Sequence, residues 1–176
     1  MRIKKIHGII ACVQLNNEDY LFSPGYEAYV FDNNIAWENV SGDVVRLSDN
    51  SLVFETDPRV FADSKMRKLE ELKVSFDERV SGTIDAHDYR MQFDISDSLK
   101  MQGAIQLLET TGATEGYLTL ANDETVYHVP LEVMKAVLVD MLSAYAVCHA
   151  RKQELRAAIN AAQTAEELDA IDISFE

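Results

Sequence analysis

Apolar and polar positions over the first 57 residues alternate on a short rhythm. The runs Ile9–Leu15, Tyr20–Phe22, Tyr26–Phe31, Ile35–Val40, Val44–Leu47 and Leu52–Glu55 are separated by Asn16-Asn17-Glu18-Asp19, Ser23-Pro24-Gly25, Asp32-Asn33-Asn34, Ser41-Gly42-Asp43 and Ser48-Asp49-Asn50. Clusters of this kind reverse a chain, because Gly and Asn tolerate positive φ and Asp and Ser side chains bond the nearby backbone. Tyr26, Ala28 and Val30 alternate with Glu27 and Tyr29, the period of two expected of a half-buried strand. The pattern predicts an antiparallel β meander over residues 1–57.

The period changes at Asp57-Pro58, where Asp can cap a helix and Pro fits its first turn. Met66, Leu69, Leu72, Phe76 and Val80 then follow at spacings of three and four, and Gly82 stops the run. A strand at Tyr89–Phe93 comes next. A helix from about Asp97 to Thr111 follows, with Leu99, Ala104, Ile105 and Leu108 on its apolar side and Gly112 after it. Tyr117–Leu120 and Thr125–Val129 read as a hairpin around Ala121-Asn122-Asp123-Glu124.

From Leu131 to Ala162 there is neither Gly nor Pro. Met134, Leu138, Met141, Tyr145, Cys148, Lys152, Leu155, Ile159 and Ala162 are spaced alternately by four and three, a heptad seam broken only by Lys152. A helix over residues 131–162 is about 48 Å long, longer than a small domain is wide. Its seam therefore needs a cover, either the Met66–Val80 helix or the same helix of another copy. Thr164 and Glu167 have capping-box spacing, and Leu168 and Ile171 supply one more turn. The expected fold is α+β: a β-rich module over 1–57, then an α/β unit over 58–176 with a long C-terminal heptad helix.

Charge narrows the function. The net charge of -14 disfavours nucleic acid and anionic membrane surfaces as partners, since both attract Lys and Arg. The charges are interspersed with Lys and Arg, which also argues against a DNA mimic. Cys12 and Cys148 sit singly in apolar stretches, as buried thiols of a reducing compartment do. No secretory leader is legible, and no apolar run approaches the roughly 18 residues that span a bilayer. Synthesis in a cytoplasm, without membrane insertion, is the expectation.

Catalytic and metal motifs are missing from the pattern. There is no Gly-rich phosphate loop, GxSxG or HExxH. His87-Asp88 could form half of an acid–base pair, though such adjacency is common by chance. His149 follows Cys148 on the long helix, about 100° around it, so the two do not face one atom. Asp94, Asp97, Glu109 and Glu115 lack the alternation and central Gly of a calcium loop. No enzyme activity, cofactor or metal is expected. Tyr20, Phe22, Tyr26, Tyr29, Phe31 and Trp37 gather in the β-rich module. They read either as a small core or as a contact face, with Tyr29 and Trp37 as candidate partner contacts.

Residues 65–176 resemble a family of unknown molecular function encoded in tailed phages and prophages, often beside tail-fibre genes. The resembling stretches are Lys65–Leu72, Phe93–Ile105, the hairpin from Tyr117 to Leu131, and Arg151–Ile171 with its Ile-x-Ala-Ala-x-Thr and Glu-Glu-Leu segments. The family usually carries Trp in the hairpin where this chain has Tyr117. The resemblance implies a structural, protein–protein adaptor role in a phage tail, tail tip or tail-fibre apparatus, in the virion. An assembly chaperone that leaves the finished fibre is the alternative. It also implies tail or tail-fibre proteins as partners and a homo-oligomer, with a trimer favoured because phage fibres are commonly trimeric. On the heptad reading, Leu138, Met141, Tyr145, Lys152, Leu155 and Ile159 would form the interface between copies.

Overall fold

The computed structural model describes residues 1–7, 9–15, 18–22, 25, 35–40, 42 and 44–175. The chain is α+β and divides into two compact units, Met1–Arg67 and Lys68–Glu176.

In the first unit, β1 (Arg2–Ile6), β2 (Ile9–Leu15), β3 (Glu18–Leu21) and β4 (Glu38–Asn39) form an antiparallel sheet in the order β3-β2-β1-β4. Among the described residues, Ile3, Ile6, Ala11, Cys12 and Val13 are its buried apolar positions, and Lys4 is buried with them. Strand β1 has no counterpart in the apolar pattern, because its sequence mixes Ile with Arg and Lys. It is accommodated by the aromatic ring of Trp37, with Lys4 Nζ 4.9 Å and Arg2 Cζ 5.4 Å from the ring centroid. A cation over an aromatic face is attracted by the ring quadrupole, so the cationic side chains of an otherwise poor strand gain a seat. The run Tyr26–Phe31, including Tyr29, lies outside the described residues.

A hairpin follows, β5 (Val44–Arg46) with β6 (Leu52–Phe54). Asn50 at φ 68° and the Asp49 carboxylate, which accepts from Ser51 N at 2.9 Å, build its turn. The expected module boundary after residue 57 shifts to Arg67, inside helix α1 (Pro58–Val80). The reason is local: buried Asp63 on α1 accepts from Ser48 N at 2.9 Å, and Arg67 Nε lies 3.1 Å from its other oxygen. The first turns of α1 thus belong to the hairpin. Asp57 starts the helix as expected, accepting from Arg59 N at 2.9 Å.

In the second unit, β7 (Thr83–Ala86) and β8 (Tyr89–Gln92) form a hairpin closed by two residues, His87 and Asp88, at φ 46° and 71°. Positive φ at both positions is the type I′ turn that matches strand twist. Helix α2 (Ile95–Thr111) is capped by Asp94, whose carboxylate accepts from Ser96 N, and ends at Gly112 in the left-handed region. Strands β9 (Glu115–Thr119) and β10 (Thr125–Pro130) make the second hairpin and lead directly into α3 (Leu131–Ala161). The short α4 (Ala165–Asp169) follows. Its capping box forms: Thr164 Oγ1 accepts from Glu167 N, and Glu167 Oε2 accepts from Gln163 N at 2.7 Å.

The seam of α3 from Met134 to Cys148 is covered from within this unit. Met134, Val137, Leu138 and Met141 join Ala86, Met91, Ile105, Leu118 and Val129 in one core, contributed by both hairpins and α2. Two turns further on, Cys148 is buried with Phe76 of α1 and Phe93. Leu155, Ile159 and Ala162 are buried as well. The apolar faces assigned to the other two helices need correction. Met66 is 65% and Leu99 58% exposed, so neither lies on the covered face expected of it.

Candidate functional site

A cleft of about 620 Å³ opens in the second unit between β8, β9 and the N-terminal half of α2. Its construction follows from the second hairpin. Leu120 N donates to Glu124 O at 2.8 Å, and Asp123 N to Leu120 O at 3.0 Å, with Asp123 at φ 64°. Leu120 therefore turns its backbone groups towards β10. Along an antiparallel strand, successive residues direct their N–H and C=O to opposite edges. Leu118 bonds β10 like Leu120, and Tyr117 and Thr119 direct theirs outward. The next outward donor, Ala121 N, meets Arg90 O of β8 at 2.9 Å. Beyond that bond β8 and β9 do not pair, and the cleft occupies the gap. Among the described residues, no hydrogen bond meets the outward backbone groups of Tyr117 and Thr119.

The cleft has an apolar floor and an acidic rim. Met91, Met101, Leu118 and Met134 lie inside it, and Asp94, Asp97, Asp123 and Lys100 line it. Lys100 Nζ is 2.6 Å from Asp97, and that bond pushes the lysine above its ordinary range. The backbone N–H of Ser96, 2.6 Å from Asp94 Oδ1, holds the Asp94 carboxyl below the usual range. Past Tyr117, β9 continues with Gly116, where a Cβ would sit 2.8 Å from Leu108 Cδ1 and 2.9 Å from Met134 Sδ. A side chain here would have to push aside the flexible ends of Leu108 on α2 and Met134 on α3.

The residues expected at an interface between copies fall elsewhere. Leu138, Met141, Leu155 and Ile159 are buried in the isolated chain, so the assignment of an intermolecular seam to them is corrected to an intramolecular core. Tyr145 and Lys152 are half-buried around Phe76. The Tyr145 ring meets Phe76 edge-on at 6.1 Å, and Lys152 Nζ sits 3.8 Å from the Phe76 centroid. The polar break in the seam is thus filled by a cation on an aromatic face. Trp37 is half-buried against Arg2 and Lys4, with Tyr29 outside the described residues. Leu138, Met141, Tyr145, Lys152, Leu155 and Ile159 are not among the residues that line the cleft.

The other side chains considered for chemistry have structural places. His87 and Asp88 form the tip of the β7–β8 hairpin. His149 stacks on Tyr145 at 6.2 Å. Glu109 pairs with Lys135 at 2.9 Å, and Glu115 with His128 at 2.8 Å. Among the described residues no group of three or more His, Cys, Asp or Glu is placed to hold a metal, and no helix is long and apolar enough to cross a membrane. Solvent-facing apolar residues remain, notably Tyr117 and Tyr127, whose rings lie 6.4 Å apart across the second hairpin.

A family model described as "Domain of unknown function (DUF4376)" matches residues 63–173, more than half of the chain. No curated protein and no solved structure matches it.

Proposed function

The chain belongs to the DUF4376 family, and we propose that this member is a non-enzymatic protein–protein adaptor of a tailed-phage tail, tail tip or tail-fibre apparatus. The observation that carries the adaptor half of this reading is the β9 edge. Unpaired strand edges are templates for another chain, and this one faces an apolar cleft beside two exposed tyrosines. Tyr is enriched where proteins meet. The setting comes from the sequence resemblance to tail-fibre-neighbourhood proteins. The protein is made in the bacterial host cytoplasm and carried in the virion, with tail or tail-fibre proteins as partners and no nucleic acid among them. A homo-oligomer, a trimer on the resemblance, must use a surface other than the α3 seam.

The test is capture of disassembled tail and fibre proteins by the full-length chain, beside a mass-spectrometric inventory of purified particles. Recovery of a tail or fibre protein, with the chain at fixed stoichiometry in particles, is the expected outcome. Capture with absence from the particle would select the assembly-chaperone alternative. No captured tail or fibre protein, and no chain in particles, would end the adaptor reading.

A further inference from the structure

We infer that the cleft takes an extended, basic and apolar peptide segment of another protein, added as a new strand to the free edge of β9. The inference rests on the adaptor reading and specifies its chemistry. Three features of the cleft converge on it.

The first is the backbone. Tyr117 and Thr119 offer two outward sets of N–H and C=O, two residues apart. That spacing is the repeat at which an added antiparallel strand forms its paired bonds. Parting of β8 from β9 beyond the Arg90–Ala121 bond leaves the edge open. The second is the floor. Side chains of an added strand alternate between faces, so every other one would point with Leu118 towards Met91, Met101 and Met134. Thioether side chains adapt to differing apolar groups, which suits a floor that reads side-chain size loosely. The third is charge. Three carboxylates line the cleft against one ammonium, and that ammonium is already bonded to Asp97. Asp94 and Asp123 are left to favour Lys or Arg on the incoming segment.

The same charges select against a second copy as the occupant. Pairing β9 of one copy with β9 of another would bring the two acidic rims together in a chain of net charge -14, and like charges brought together oppose the wrong partner.

The experiment titrates the full-length, ¹⁵N-labelled chain with a capped octapeptide of alternating Leu and Lys. Three comparisons run beside it: the same peptide N-methylated on alternate amides, a Leu/Glu peptide, and the Thr119→Pro variant. Proline at Thr119 deletes one outward N–H and leaves the β10 ladder intact, since proline is tolerated where a strand's N–H faces away from its partner. Expected are amide shifts centred on residues 115–121, the first half of α2 and the adjoining β8 residues Met91 and Gln92. Affinity should fall about tenfold or more, on N-methylation and in Thr119→Pro alike, and the Leu/Glu peptide should not bind. A tenfold loss corresponds to about 1.4 kcal/mol.

Unchanged affinity for the N-methylated peptide, which needs no variant to fold, would overturn the inference by reducing binding to charge alone. Shifts centred elsewhere, or no binding at about 1 mM, would overturn it too. Capture of tail proteins that survives in Thr119→Pro would remove strand addition and leave the adaptor reading standing. Peptide binding without tail-protein capture would do the reverse.

Discussion

Replacing Met141 by Ala tests whether the α3 seam is spent inside the chain. Met141 is fully buried in the core shared by α3, α2 and the two hairpins. Truncation removes three heavy atoms from contact with that core. Losing their transfer free energy costs about 1.5–2 kcal/mol. A residual void of about 40–60 Å³ adds about 1–1.5 kcal/mol at about 24 cal/mol per Å³. The expected loss is therefore about 2.5–3.5 kcal/mol. Urea unfolding followed by far-UV circular dichroism, at two protein concentrations a hundredfold apart, reads it as a drop in midpoint at constant slope. Val139→Ala, on the outer face of the same helix and 59% exposed, should change stability by less than about 0.5 kcal/mol. Concentration supplies the discriminating axis. A core within one chain predicts the same midpoint shift at both concentrations, whereas a seam between copies predicts a larger midpoint at the higher one. Equal effects of the two substitutions, or a concentration-dependent midpoint that Met141→Ala abolishes, would refute the assignment.

Three further outcomes are expected. Gly116→Ala should lower stability by about 1 kcal/mol, because the new methyl must displace Leu108 and Met134 by their flexible ends; a raised unfolding midpoint would mean that β9 is not held so close. Converting the β7–β8 turn to Asn-Gly, by His87→Asn with Asp88→Gly, should raise stability by about 1 kcal/mol, as both residues now occupy the left-handed region; thermal unfolding checks the sign. The Asp94 carboxyl, depressed chiefly by the Ser96 N–H, contributes stability that is complete above its unfolded value of about 3.9 and is lost as pH falls through its lower folded value. Asp94→Asn keeps a good cap that does not titrate, so acid unfolding of the variant should be less steep below about pH 4, and parallel acid limbs would refute the linkage.

The helices were the legible part of the chain. Seven of the nine seam positions from Met134 to Ala162 are buried, and Asp57, Gly112 and the Thr164–Glu167 box mark ends that the structure places within a residue or two. Periodicity identifies a covered face without identifying the cover. The spacing leaves the Met66–Val80 helix and another copy equally open as covers, and in the structure Phe76 of α1 covers Cys148 while the two hairpins and α2 cover Met134–Met141. Strands β1 and β7 escaped detection for a different reason. Arg-Ile-Lys-Lys-Ile carries three cations, and Thr-Ile-Asp-Ala is too short to alternate convincingly. Tertiary contacts decide both, a ring over the cations in one case and a two-residue turn in the other. The cleft was not legible at all. Asp94, Asp97 and the Asn122-Asp123 loop could be read as cap and turn, but an unpaired strand edge is defined by what fails to lie beside it.

One long-range contact has a consequence for how the second unit assembles. Most of its pairings join neighbours in sequence: β7 with β8, β9 with β10, α2 with α3. Far longer in reach is the bond of Ser75 Oγ of α1, which donates to Ile173 O across 98 residues, beside the Phe76–Phe175 ring contact at 5.7 Å. Closing so large a loop is entropically unfavourable until the intervening elements are in place. The local hairpins and the α2–α3 pair should therefore form first, with α1 and residues 171–175 docking afterwards. The same order run backwards sets the rate at which backbone amides meet solvent in the native protein. Amides of α1 between Leu72 and Val80 should exchange with deuterium through a partial opening, well before those between Val137 and Met141, which wait for global unfolding.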